Sequence, residues 1–157
     1  MVAWTSQASP LGPLLLIASD HGLAGVYFEQ HKYFRGVDGK QDHGHPILKM
    51  AMGQLTDYFE GRLKRFDLPL DLRGTAFQLK IWKQLLSIPF GQPSTYSRVA
   101  LEAACPEAVR AVGTAIGRNP VSIIVPCHRV LRTGGKLAGY AGGLERKRYL
   151  LALEERQ

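Results

Sequence analysis

Only two cysteines, Cys105 and Cys127, occur in 157 residues. So few exclude a disulfide scaffold and supply no paired-cysteine metal motif. A zinc site built on Cys127 and His128 would leave their adjacent spacing unexplained, so no metal is expected. No uninterrupted apolar run reaches the length of a membrane span, and no membrane partner is expected. The start, Met1-Val2-Ala3-Trp4, has neither the basic residues nor the apolar run of a secretory signal, which makes the cytoplasm the expected location. Acidic residues are scarce as well. Thirteen Asp and Glu face twenty Lys and Arg, a formal net charge of +7. That excess favours a polyanionic partner by long-range steering, with plain solubility charge as the alternative.

What is present is a globular composition, 45% hydrophobic and 21% charged. The length suits one domain with a full core or two small ones packed together. Leu14–Ala18 and Leu23–Phe28 flank the turn signal Asp20-His21-Gly22 and read as a hairpin, although its alternation is only partial. Residues 31–44 are polar and glycine-bearing, a loop. From His45 to Gly61 the period becomes helical, with Leu48, Ala51, Met52, Leu55 and Phe59 along one side and Pro46 in the first turn. Around Leu70–Gly74 the chain passes into a mainly helical portion. Phe77, Ile81, Trp82 and Leu85 mark one helix, Thr95–Ala103 a second, and a third starts near Pro106 and stops at Asn119-Pro120. The fold expected is α/β (α+β): an N-terminal sheet-and-helix domain, 1–72, then a mainly helical domain, 73–157, with a winged helix-turn-helix-like element.

The third helix has an unusual surface for a DNA reader. A helix in the major groove offers long polar side chains to base edges. This one offers Ala108, Val109, Ala111, Gly113, Thr114 and Ala115, with Arg110 as the long cation among them. Such a smooth face suits close approach to a minor groove, where little sequence is read. Arg110 then fits either the gap left by a displaced base or an ordinary phosphate contact. Residues 126–130 read Pro-Cys-His-Arg-Val, which puts a nucleophile beside a base. Cysteine attacks as the thiolate, so a neighbouring base is the expected companion.

Six landmarks in order carry a resemblance: Ser94-Thr95-Tyr96, Arg110-Ala111-Val112-Gly113, Asn119-Pro120, Pro126-Cys127-His128-Arg129-Val130, Gly139–Leu144 and Leu150–Glu154. Together they resemble the O6-alkylguanine-DNA alkyltransferase family. The resemblance implies minor-groove binding of double-stranded DNA, extrusion of an O6-alkylguanine nucleotide, and irreversible alkyl transfer to Cys127, one group per molecule. It implies no cofactor, no obligate protein partner and a monomer. His128 would be the base, acting through a water, with Glu154 orienting it. Arg110 would fill the vacated space. Tyr96 would promote rotation of the nucleotide and donate to guanine N3. Asn119 would tie the third helix to the Cys127 segment, and the Val130 carbonyl would accept from the guanine amino group. Tyr140 would stack on the base, and the Ala141 amide would donate to O6. Thr95, Ala108, Val109, Ala111 and Gly113 complete the expected DNA surface.

Two departures bear on the alkyl group accepted. Ser122 stands where some relatives carry a proline, and Ala141 where some carry a serine. Two other function classes stay open: a non-catalytic sensor of alkylated DNA, and a helix-turn-helix regulator. The retained Cys127 counts against the first and the smooth third helix against the second.

Overall fold

A computed structural model describes residues 2–156 and shows a mixed α/β chain, with a small sheet first and a helical portion after it. Strands β1 (Ala3–Gln7), β2 (Leu14–Ala18), β3 (Leu23–Phe28) and β4 (Lys40–Gln41) form one sheet in the order β3-β2-β1-β4. Its neighbours are antiparallel except for β1 and β4, which run parallel. The imperfect alternation of the hairpin has a structural cause. Ile17 pairs with Gly25 but Ala18 pairs with Leu23, so Ala24 is an extra residue at a bulge. Leu23, Val26 and Phe28 are thereby all buried despite their mixed spacing. The polar segment 31–44, expected as pure loop, contributes β4.

Helix α1 (Pro46–Phe59) covers the sheet with Leu48, Ala51, Leu55 and Tyr58. Its start is set by Pro46 and by His45, whose Nδ1 accepts from the Ile47 amide. The helical portion holds α2 (Ala76–Leu85), α3 (Tyr96–Glu102), α4 (Val109–Gly117) and α5 (Leu144–Glu155). Thr75 and Gln78 make a reciprocal capping box on α2. Trp82 is buried between helices, and its indole donates to the Ala115 carbonyl at 2.8 Å. Helix α4 begins three residues later than expected. Pro106 lies in the α3–α4 turn, and Ala108 occupies the cap position without a side-chain bond. Two-residue strands β5 (Ser94–Thr95) and β6 (Val130–Leu131) pair in parallel, and they are the only strands of this half among the described residues.

The free edge of β3 joins the two portions. Its Leu23 amide donates to the Pro69 carbonyl, and its carbonyl accepts from Asp71. Further along, Val26 donates to Pro120 and accepts from Ser122. An exposed edge is thus covered by backbone, which removes a pairing hazard. The same bonds suspend the segment 120–127 from the sheet.

Candidate active site

Backbone geometry presents Cys127. The Ile124 amide donates to the Ser122 carbonyl across Ile123, whose φ is +73°. This is a γ-turn of the strained hand, and a buried β-branched residue adopts it only under constraint. Three residues on, the Cys127 amide donates to the Val125 carbonyl across Pro126 (φ −82°, ψ 61°), the relaxed γ-turn. Cys127 then opens a 3-10 turn, Cys127–Arg129. Asn119 holds the segment from the end of α4. Its Oδ1 accepts from the Val121 amide, and its Nδ2 donates to the Val125 carbonyl at 2.8 Å and to Cys127 Sγ at 3.1 Å.

Glu154 is the hub behind the nucleophile. It is buried, and five donors converge on its carboxylate. Oε2 accepts from Tyr58 Oη at 2.6 Å, His128 Nε2 at 2.6 Å and the Arg129 guanidinium at 3.0 Å. Oε1 accepts from Arg129 Nε at 2.8 Å and the Gly91 amide at 3.2 Å. A third guanidinium nitrogen of Arg129 donates to the Ile88 carbonyl at 2.7 Å. Burial alone would raise the Glu154 pKa, but the hydrogen bonds from His128 and Arg129 and the guanidinium charge outweigh it and hold the carboxyl ionised.

The charge states of the other groups follow. Burial lowers the His128 pKa, and although Glu154 opposes this, Arg129 and Lys147 reinforce it. Arg129 already supplies the countercharge to Glu154, so His128 rests neutral. A carboxylate only accepts, so Nε2 carries the hydrogen and Nδ1 keeps its lone pair. That Nδ1 is buried and makes no hydrogen bond with the described residues. Burial raises the Cys127 pKa, opposed by the Asn119 bond and by the charge of Lys147. The resting thiol is protonated, beside an imidazole able to take its proton.

Lys147 is a further charged group that acts on Cys127. It is fully buried on α5 and donates to the carbonyls of Val130 (2.7 Å), Ala138 (2.9 Å) and Gly139 (3.2 Å). Burial pulls its pKa down to about 8, with Cys127 opposing. Tyr140 has its hydroxyl buried near Cys127 and Ser122, without a hydrogen bond of acceptable geometry. The loop 139–143 relies on its glycines. Gly139 and Gly143 have φ +48° and +93°, and a Cβ on Gly142 would clash with the Phe28 ring. Arg146 locks this loop to the first portion by donating to the carbonyls of Leu11, Glu29 and Gly142.

In front of Cys127 lies a cavity of about 370 Å³, open to solvent and walled by Tyr96, Gly113, Gly117, Tyr140, Ala141, Lys32 and Tyr33. A larger cleft of about 540 Å³ between residues 64–70 and 86–90 is not lined by Cys127 and is not the site. Helical spacing puts Arg110, exposed on α4, on the same side as Gly113 and Gly117. Arg110 therefore lies on the side of α4 that borders the Cys127 cavity.

The family model for the DNA binding domain of 6-O-methylguanine DNA methyltransferase matches residues 76–156, and that for its ribonuclease-like domain matches residues 2–72. A methylated-DNA–protein-cysteine methyltransferase of Mycobacterium tuberculosis is 44% identical over 158 residues, covering 99% of this chain and 93% of its own. One from Methanosarcina barkeri is 44% identical over 147 residues, covering 94% of this chain and 93% of its own. The crystal structure of Mycobacterium tuberculosis OGT in complex with DNA matches with a TM-score of 0.92 at 44% identity, covering 98% of this chain and 93% of that one. The chain belongs to the 6-O-methylguanine DNA methyltransferase family.

For a member of this family, the expected residues fall in different places. Asn119 bonds Cys127, and Glu154 bonds the next residue, His128, while Tyr96, Tyr140, Ala141 and Gly113 wall the cavity together with Cys127. Ala108, Val109, Ala111 and Arg110 lie on or beside the exposed side of α4. Thr95 is engaged otherwise, since its hydroxyl oxygen caps α3 by accepting from the Arg98 amide. The Tyr96 hydroxyl, expected free for a base, donates to the Ala138 carbonyl at 3.1 Å. The Val130 carbonyl, expected free for a base, already accepts from Lys147. Sequence reasoning assigned no role to Tyr58, Arg129, Lys147, Lys32 or Tyr33. Lys147 had a signal, because helical spacing puts it on the same side of α5 as Leu150 and Glu154.

Proposed function

We propose that this chain repairs duplex DNA by moving the alkyl group of O6-alkylguanine irreversibly onto Cys127, each molecule acting once. The observation that carries the reading is a buried thiol at the wall of a cavity sized for a base, followed in the chain by a neutral histidine with a free Nδ1 that is bonded to an ionised Glu154. The alkylated oxygen lies on the pairing edge, so the nucleotide must leave the stack to reach Cys127, and weakened pairing lowers that cost. The smooth side of α4 would lie in the minor groove, with Arg110 occupying the vacated position. Tyr140 would stack on the base and Tyr96 would turn its hydroxyl from Ala138 to guanine N3. Val130 has a second lone pair for the guanine amino group.

The chemistry balances without a further reactant. Through one water, Cys127 passes its proton to Nδ1 of His128, whose new charge Glu154 stabilises across the 2.6 Å bond. The thiolate forms a bond to the alkyl carbon as the carbon–oxygen bond breaks, and the electron pair stays with guanine. The proton from the thiol ends on the departing base. Cys127 becomes a thioether, which water does not readily hydrolyse, so the protein is consumed. All the groups come from one chain, which is consistent with a monomer. Intact-protein mass spectrometry after exposure to an O6-methylguanine duplex should show one methylene-equivalent of added mass, absent in Cys127→Ser. Tight binding of the duplex with no added mass on the native protein would replace this reading by that of a damage sensor.

A further inference from the structure

The N-terminal portion reaches the mouth of the reaction cavity. Lys32 and Tyr33 follow β3, outside every landmark of the sequence, yet both line the same cavity as Cys127. The backbone fixes them there. The Lys32 amide donates to the Ala141 carbonyl at 2.9 Å, joining this loop to the one that walls the base pocket. Tyr33 takes φ +68° and Gln30 φ +60°, left-handed conformations that non-glycine residues adopt rarely. Across the mouth, Arg118 ends α4, whose Gly113 and Gly117 form the facing wall.

Two cations converge on the Tyr33 ring. The Arg118 guanidinium lies 4.0 Å from its centroid and the Lys32 ammonium 5.1 Å. Each gains from the ring face. Those distances also keep the two charges within the screening length of about 10 Å at 0.1 M salt, so they repel. Neither has a carboxylate at ion-pair distance among the described residues, and both side chains are exposed. A like-charged pair gathered on one ring, without acidic partners, is half of an ionic site. The missing half is an anion, and it must lie where a base enters the cavity.

We propose that Lys32, Tyr33 and Arg118 form a phosphate-binding rim that holds the DNA backbone beside the extruded nucleotide. This rests on the alkyl-transfer reading above and adds to it a role for the N-terminal portion in substrate binding. A nucleotide rotated into the cavity carries its flanking phosphates to the mouth. The rim would grip one of them and favour the extruded over the stacked state. A phosphate charge between Lys32 and Arg118 also relieves their repulsion.

The test is a cycle between protein and DNA charges, with the full chain and single-turnover methyl transfer. Native protein, Lys32→Ala, Arg118→Ala and the double variant are each given O6-methylguanine duplexes with natural phosphates. They are also given duplexes carrying an uncharged methylphosphonate immediately 5′ or 3′ of the lesion. The native protein should lose about tenfold in second-order rate on one of the modified duplexes, and the double variant about tenfold on the natural one. Combined, the two changes should cost little more than either alone. The double variant should also lower the magnitude of the salt slope by about 1, and Lys32→Arg should restore most of the rate. Thermal unfolding of these exposed variants establishes that they fold. Fully additive losses, or an unchanged salt slope, overturn the rim and leave alkyl transfer standing. Failure of the native protein to transfer methyl from any duplex would overturn the function itself, and the rim with it.

Discussion

Replacing Arg129 by Met removes the permanent countercharge of Glu154 while keeping a side chain of similar length. Arg129 makes two bonds to the carboxylate and one to the Ile88 carbonyl. Side-chain exposure is 7% for Arg129 and 1% for Glu154, so solvent screening discounts little of the interaction. Breaking such a pair by deleting one partner typically costs about 3–5 kcal/mol, because a buried charge is left uncompensated. For a chain of this size that corresponds to a fall in Tm of about 6–20 °C, at about 2–4 °C per kcal/mol. Arg129→Met with Glu154→Gln should recover much of the stability, since no unpaired charge remains, yet should not recover transfer. The single variant has a second signature. His128 loses a charge that depresses its pKa and faces a less compensated carboxylate, so its pKa rises. The acid limb of the transfer rate must then move to higher pH. Urea unfolding gives the stabilities, and single-turnover transfer from pH 5 to 8 gives the limb. An Arg129→Met protein within about 1 kcal/mol of the native one, with its acid limb unmoved, would refute the countercharge role.

In the native protein, the depressed pKa of His128 keeps the imidazole neutral as pH falls through the ordinary 6.5, so transfer should persist at pH 6 and decline only below. The stability contributions of His128 and Glu154 are both present at neutral pH. That of His128 begins to decline as pH falls below 6.5 and that of Glu154 below 4.5, because the unfolded chain takes up protons first; unfolding free energies from pH 7.5 to 4 should decline accordingly. Lys147→Met removes a buried cation beside Cys127 and should slow transfer about 100-fold. Thiolate absorbance should show the Cys127 pKa raised further, and an unshifted thiol would place Lys147 outside the electrostatics of the site. Arg110→Ala should slow transfer from duplex DNA far more than from a single strand, where no stacked position needs filling; equal losses on both would make Arg110 an ordinary phosphate contact.

Legibility in the sequence followed the range of the interactions. Periodicity located α1 and put Phe59 on its packed side, where it lies partly buried against the core, but it passed over Tyr58, which is fully buried. Both residues follow Leu55 by helical spacing, and what allows the burial of Tyr58 is Glu154, 96 residues away. The Tyr58 hydroxyl can be buried because a carboxylate awaits it there. Arg129 lies inside the Pro-Cys-His-Arg-Val motif, yet nothing local distinguishes a buried clamp from a surface arginine. Cys127, His128 and Glu154 were legible because ordered landmarks carried them. Strand β4 was not, because Lys40 and Gln41 pair with β1 through backbone and bury neither side chain. The start of α4 was misplaced because proline suits both a first helical turn and the tight turn that Pro106 occupies.

Reactivity and restraint at Cys127 have a common origin. A thiol held as a ready thiolate would be exposed to oxidation or to adventitious alkylation, and a molecule that acts once cannot recover from either. Burial prevents this by raising the Cys127 pKa and limiting its exposure to 6%. Burial would equally disable the attack if nothing offset it. The offset is a set of groups whose charge is settled beforehand: Lys147, whose charge favours the thiolate, and Arg129, bonded to Glu154. With Glu154 already compensated, His128 can rest neutral and still find a stabilising carboxylate once it takes the proton. The pair His128–Glu154 alone would instead draw the proton onto the imidazole at rest and remove the base. Arg129 and Lys147 are therefore required for the same reason as the burial itself. In the proposed reaction they would let a protonated thiol, followed by a neutral base, become a nucleophile within a site that an extruded guanine would close.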